Sequence, residues 1–192
     1  KDTILSYFRI YRVLFLAHYN LLSKIHNRFK IEIINETVLF LNNLKKRVIH
    51  VSQNNNIEID IYTPSSLCFF RAETFSEKEP ETLAWIEEFG KNGSVLYDIG
   101  ANIGLYSIYH SLLNDGKSYA FEPSFFNLKQ LCRNIHINNC ENNIVIIPNP
   151  LSSSNITHDF KYGSIEEGGA LSGFGINYGF DGNQINSLMY NK

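Results

Sequence analysis

The chain is poor in the residues that would place it in a specialised class. Across 192 residues there are three cysteines, one methionine, one tryptophan and five prolines. Cys68, Cys132 and Cys140 are odd in number, form no CxxC pair and are too sparse for a disulfide scaffold, which points to a reducing compartment, taken here as the cytoplasm. Long apolar runs are missing: the strongest, Val13 to Ala17, sits between Arg12 and His18, far short of the roughly 20 residues a bilayer span needs. No small-residue cleavage site follows it, so it does not read as a signal peptide. A basic excess is missing as well, since 17 Lys+Arg against 19 Asp+Glu leave a formal charge of -2. That balance lacks the charge with which a nucleic-acid binder displaces counterions, so no nucleic acid is expected as a partner. The six histidines show no H-E-x-x-H or other metal spacing, and Ser152-Ser153-Ser154 is no G-x-S-x-G elbow, so neither a metal site nor a hydrolase is expected.

What is present is the composition of a folded domain, with 44% hydrophobic and 19% charged residues. The length suits one domain plus an extension. Leu5, Phe8, Tyr11, Phe15, Tyr19, Leu22, Ile25 and Phe29 recur at intervals of three or four, which predicts a long amphipathic helix. A second helix is expected over Glu36 to Leu44, with Lys45-Lys46-Arg47 complementing its dipole. Ile57, Ile59 and Ile61 alternate with polar residues as a half-buried strand does, and Leu67 to Arg71 is read as its hairpin partner. Pro80 opens a helix in which Leu83, Ile86 and Phe89 share a side, closed by Gly90 and Gly93. Glu79 and Glu81 are read as acids favoured in its first turn.

From Ser94 onward the pattern becomes strand, helix, strand, helix, strand, which predicts an α/β layer with parallel strands. The strands fall at Val95 to Asp98, Ser118 to Glu122 and Ile144 to Ile147. The helices fall at Gly104 to Leu113 and after Ser124, a candidate cap. Seven of the twelve glycines lie between Gly163 and Gly182 and mark a long loop with room for a short hairpin. In it, Glu166 and Glu167 read as solvated charges. His110 and His136 fall in helices and read as structural or solvated.

The chemistry concentrates in Tyr97-Asp98-Ile99-Gly100-Ala101-Asn102-Ile103-Gly104, where a strand ends and a helix begins. Glycines there let a ligand approach the backbone, and the helix start offers unpaired N–H groups. The spacing is G-x-x-x-G, with Asn102 where a pyrophosphate-binding G-x-G-x-x-G turn needs its second glycine. Asp98 would repel a diphosphate but suits the ammonium of S-adenosylmethionine. Glu122, 24 residues later at the end of the next strand, can accept hydrogen bonds from both ribose hydroxyls. An NAD-dependent oxidoreductase is the alternative, since Glu122 also fits an NAD ribose. A second alternative is a noncatalytic relic that binds a nucleoside or a protein partner.

Tyr97 to Ser107, followed by Ala120-Phe121-Glu122-Pro123-Ser124 and Asn127, resembles the FkbM family of S-adenosylmethionine-dependent methyltransferases. Lys78 to Ile86 also resembles a stretch that precedes the glycine turn in that family. The resemblance implies a Rossmann-like class I methyltransferase sheet, of which the first three parallel strands are present, with N-terminal helices and a β-hairpin. It implies methyl transfer to a hydroxyl oxygen of a small molecule or glycan. Carried over by position, it implies a cofactor site of Asp98, Gly100, Ala101, Asn102, Gly104, Glu122 and Pro123. Asn149-Pro150-Leu151-Ser152 resembles the family's Ala-Leu-Ser-Asp segment and adds Asn149 as an adenine contact, although Pro150 replaces the alanine and no Asp follows Ser152. The family's K-I-D-V-E-G-like segment is absent, so the chain reads as C-terminally incomplete, and no catalytic residue is assigned. Three regions follow: a helical extension over 1–52, a hairpin and helix over 53–93, and a partial methyltransferase domain over 94–192. With its first strand at an open edge, the piece is expected to be marginally stable or to aggregate.

Overall fold

The computed structural model describes residues 13–19, 21, 30–52, 56–179, 182–185 and 190–191. The chain divides into two compact units, Lys1–Asn42 and Asn43–Lys192.

In the first unit, residues 13–19 and 21 are helical and α1 spans Lys30–Asn42. The remainder of the expected helix from Leu5 to Phe29 lies outside the described residues. Among the described residues, no helix is long and apolar enough to cross a membrane.

The second unit opens with an antiparallel hairpin of β1 (Lys45–Val51) and β2 (Asn56–Tyr62). Its first strand corrects the sequence reading, which placed Lys45-Lys46-Arg47 at a helix end. Arg47 instead faces Asp60 across the hairpin: its Nε and Nη2 donate to the two carboxylate oxygens at 2.8 and 2.9 Å. Leu67 to Arg71 is corrected too. It belongs to the helix α2 (Ser66–Glu73), because Ser65 Oγ accepts the Cys68 N–H at 3.0 Å as an N-cap. Cys68 and Ala72, four residues apart, form its buried side.

A short α3 (Phe75–Lys78) leads to α4 (Pro80–Phe89), with Pro80 in its first turn as expected. Leu83 and Ile86 are buried, whereas Phe89 points out and meets Trp85.

The central layer is a parallel sheet of β3 (Val95–Ile99), β4 (Lys117–Phe121) and β5 (Ile144–Ile147), in that order. The crossovers are α5 (Leu105–Asn114) and α6 (Phe125–Ile137), as a parallel pair demands. Leu96 and Ala120 are buried on the face that α5 covers. On the opposite face, Val95, Tyr97 and Ile99 are 54%, 63% and 69% exposed. Among the described residues β3 pairs only with β4, so it is an edge strand, as expected.

The hairpin packs its buried Ile57, Ile59 and Ile61 onto α5 and α6. The outer N–H groups of β2 find partners on α6: Asn138 Oδ1 accepts from Asp60 at 3.0 Å and Asn134 Oδ1 from Tyr62 at 2.9 Å. Asn134 also donates to the Ile103 carbonyl at 2.9 Å, tying the hairpin to the glycine turn. Side-chain amides bonded on both their oxygen and nitrogen fix the arrangement of the elements they bridge. His110, buried on α5, lies between Ser94 Oγ at 2.8 Å and Ser118 Oγ at 2.9 Å, while His136 is exposed. Burial lowers the His110 pKa, in keeping with a structural neutral ring.

The glycine-rich region is not a bare loop. β6 (Phe160–Lys161), β7 (Gly173–Phe174) and β8 (Tyr190–Asn191) form a small antiparallel sheet in the order β7-β6-β8. The connection from β6 to β7 carries Glu166 to Gly169 back over the carboxyl ends of β3 and β4.

Candidate functional site

Asp98 is the penultimate residue of β3, in register with Ala120 of β4, and Glu122 directly follows β4, so both acids stand at the carboxyl edge of the parallel sheet. That edge is where open α/β sheets place ligands. Between them the chain turns sharply, with Gly100, Asn102 and Gly104 all at positive φ, +81°, 53° and +90°. A Cβ on Gly104 would lie 2.5 Å from Leu131 Cδ1, so this glycine lets the helix start pack on α6. Gly100 has no atom within 4 Å of such a Cβ and leaves an open cradle.

A cleft of about 210 Å³ opens beside the turn. Asp98, Gly100, Ala101 and Asn102 line it, joined by Arg71, Lys78, Glu79 and Tyr106 from the upstream helices and α5. Asp98 Oδ2 accepts the Ser107 N–H at 3.1 Å and its hydroxyl at 2.7 Å. Burial nevertheless pushes the Asp98 pKa up, so its charge is short of compensation. Tyr106 donates to Glu79 Oε2 at 2.9 Å, and this bond holds the Glu79 carboxyl below its ordinary range. Glu79 is thus a wall of the cleft and more than the first-turn acid read from the sequence. Glu81 is exposed and does not line it.

Glu122 is only 5% exposed. Its Oε2 accepts the Asn102 N–H at 2.7 Å and its Oε1 the Ser124 N–H at 2.8 Å, while burial raises its pKa. Ser124 stands at the N-cap position of α6, but its hydroxyl makes no capping bond.

The segment Glu166 to Gly169 forms a strap over this half of the site. Asn102 Nδ2 and Asn127 Nδ2 donate to the Gly169 carbonyl at 2.6 and 3.0 Å, and the Gly168 N–H donates to Asn127 Oδ1 at 2.9 Å. Arg71 Nε donates to the Gly168 carbonyl at 2.6 Å, and Ser65 Oγ to the Glu167 carbonyl at 2.6 Å. Glu166 and Glu167 are not merely solvated charges: Ser66 Oγ donates to the first at 2.9 Å and Lys129 Nζ to the second at 2.7 Å. One buried atom at the seam, Asn102 Oδ1, has no hydrogen-bond partner.

The structure therefore gathers Asp98, Gly100, Ala101 and Asn102 in one cleft, with Gly104 behind them in the packed turn. Glu122 joins through the Asn102 backbone, beneath the strap. Pro123 and Asn149 lie apart, lining a second cleft of about 720 Å³ with Pro148, Ser152 and Phe174. Arg71 carries no signal in the sequence, because no spacing connects it with the glycine turn, whereas the glycine-rich loop of Glu166 and Glu167 is legible as one that could lie over the site, with solvated charges as the preferred reading. Among the described residues there is no group of three His, Cys, Asp or Glu side chains placed to hold a metal ion.

No family model and no curated protein matches the chain, so the FkbM likeness rests on the motif residues themselves. Similar solved structures include TYW2 of P. horikoshii in complex with MeSAdo, at 18% identity and TM-score 0.37, covering 65% of this chain and 48% of that one. They include the M. jannaschii tRNA m1G37 methyltransferase, at 19% and 0.34, covering 57% and 32%. A third is M. jannaschii TYW2 in complex with AdoMet, at 17% and 0.34, covering 55% and 44%. The chain thus spans a third to a half of the length of these proteins. At such scores the α/β architecture and the site stand on this chain's own geometry. One expectation is corrected by the comparison. The whole-chain charge leads to the expectation of no nucleic-acid partner, and the FkbM resemblance implies a small-molecule or glycan acceptor, yet a similar structure is named as a tRNA methyltransferase. A sum over all charges does not measure a local surface, so that exclusion is withdrawn.

Proposed function

We propose that the protein binds S-adenosylmethionine at the carboxyl edge of its parallel sheet and belongs to an S-adenosylmethionine-dependent methyltransferase. The observation that carries this is the pairing of Asp98 and Glu122 at the ends of adjacent parallel strands around a glycine turn whose cradle is open. The residues present fit the cofactor. Asp98 has a buried, under-compensated carboxylate for an ammonium, Gly100 leaves room against the backbone, and Asn102 Oδ1 is an unpaired acceptor at the seam.

The bound cofactor supplies a sulfonium methyl, which passes by in-line displacement to an acceptor as the acceptor loses a proton. The FkbM-like motif supports an oxygen as that acceptor atom. The protein's part is to hold the donor with its methionyl end in the cleft beside Asp98, while Glu122, buried beneath the strap, holds the turn through the Asn102 and Ser124 N–H groups. Three free thiols, Cys68, Cys132 and Cys140, support a cytoplasmic location.

Calorimetry on the purified protein tests the reading. S-adenosylhomocysteine is expected to bind and NAD is not; binding of NAD alone, or of neither, overturns it.

A further inference from the structure

The cleft beside the glycine turn is edged by acids and contains one cation that has no ion-pair partner among the described residues. Arg71, on α2, is half-buried, and its Nε is spent on the Gly168 carbonyl of the strap at 2.6 Å. That bond fixes the plane of the guanidinium. Arg71 lines the same cleft as Asp98, and its two Nη groups have no hydrogen-bond or ion-pair partner among the described residues. The acids that act on it electrostatically, Glu122 and Glu79, stay outside ion-pair distance. Lys78, the other cation of the cleft, is more exposed and already pairs with Glu79 Oε1 at 3.3 Å.

We propose that Arg71 is the carboxylate receptor of the cleft, holding the amino-acid end of the cofactor with its free Nη pair while Asp98 takes the ammonium. This rests on the S-adenosylmethionine reading and deepens it. A guanidinium presents two parallel N–H donors that match a carboxylate, and an acid nearby matches the α-ammonium, so the pair recognises a zwitterion. The cleft volume of about 210 Å³ is below the ~300 Å³ at which pockets for whole small molecules begin, which suits one end of the cofactor. Burial lowers the Arg71 pKa, the mark of a cation held without enough negative charge around it. A carboxylate from the ligand would supply that charge. The strap acquires a role as well: its Gly168 carbonyl aims Arg71 at the cleft.

The test compares two nucleosides that differ only beyond the sulfur, S-adenosylhomocysteine and 5′-methylthioadenosine, on wild type and on Arg71→Met and Arg71→Lys. Wild type is expected to prefer S-adenosylhomocysteine by about tenfold or more, the size of one charge-assisted bidentate contact. Arg71→Met is expected to lose most of that preference with 5′-methylthioadenosine affinity unchanged. Arg71→Lys should restore part of it. Unchanged 5′-methylthioadenosine binding shows that the variant is folded. Equal preference in wild type and Arg71→Met, or loss of both ligands in Arg71→Met with neither regained in Arg71→Lys, overturns the assignment of Arg71. Binding of neither nucleoside by wild type overturns the cofactor reading itself.

Discussion

The backbone N–H of Asn102 donates to Glu122 Oε2 at 2.7 Å, so the acid that follows β4 fixes the left-handed residue in the turn that follows β3. The other oxygen of the same carboxylate holds the Ser124 N–H at the start of α6. One buried side chain therefore sets the geometry of both turns that frame the site. Glu122→Gln keeps an acceptor for only one of these N–H groups and turns an amide nitrogen toward the other. The expected cost is about 1–3 kcal/mol, that of leaving a buried donor unsatisfied. Urea unfolding checks it, and an unchanged midpoint would mean that the carboxylate does not hold the turns.

Asp98 predicts a pH dependence of definite sign. Burial raises its pKa above the ordinary 3.8, so the folded protein keeps a proton that the unfolded chain has already released. Stability from this group is fully present below 3.8 and is lost as pH rises through the raised value. Asp98→Asn cannot ionise, and it is expected to gain on wild type as pH rises above the ordinary 3.8. Unfolding free energies at several pH values provide the check, and parallel pH profiles would show that Asp98 ionises without penalty.

The elements from Ser94 to Ile147 were legible because their apolar periods switch cleanly between strand and helix, with Gly104 and Pro123 at the switches. The acids at the strand ends were legible for the same reason, since their positions follow from where the strands stop. The partner of Ile57, Ile59 and Ile61 was not. Lys45-Lys46-Arg47 looks like a helix end until Asp60 is seen opposite Arg47, a relation that exists only across the folded hairpin. Leu67 to Arg71 failed as a strand because the Ser65 cap outweighs a short apolar run. Arg71 was invisible because its partner, Gly168, is 97 residues away. No local pattern encodes such a contact.

Two glycines of one turn should separate stability from binding. Gly104→Ala forces a side chain into left-handed backbone, costing about 1–2 kcal/mol, and pushes on Leu131, where overpacking adds about 1–3 kcal/mol. Gly100→Ala meets no neighbour and carries only the backbone strain. Thermal unfolding should rank Gly104→Ala as the more damaging. Calorimetry should rank Gly100→Ala as the weaker S-adenosylhomocysteine binder relative to its residual stability, because its methyl fills the cradle. Equal effects of both on both measurements would deny that the open space at Gly100 serves a ligand.

Asn127 anchors the strap through two opposed bonds, accepting from Gly168 and donating to Gly169. Asn127→Ala orphans the Gly168 N–H and leaves the Gly169 carbonyl to Asn102 Nδ2 alone, which local stability reports more directly than global stability. Hydrogen exchange of the 166–169 amides is expected to accelerate by tenfold or more, about the effect of 1.4 kcal/mol on a local opening. Protection unchanged from wild type would show that the strap is held from elsewhere.

The edge and outer face of β3 make the final prediction. Val95, Tyr97 and Ile99 leave a row of apolar side chains beside unpaired backbone groups, the combination through which strands of separate molecules pair. Tyr97 is also stacked on Tyr119, with ring centroids 5.3 Å apart, so replacing it would remove a packing contact along with the exposed surface. Val95 is 54% exposed, which makes it the cleaner probe. Val95→Lys places a charge on the edge and is expected to alter unfolding free energy by no more than about 0.5 kcal/mol. Light scattering of concentrated solutions should fall in the variant while its unfolding midpoint stays near that of wild type. If scattering is unchanged, self-association does not run through this strand, because a charged lysine at the start of the edge opposes such pairing.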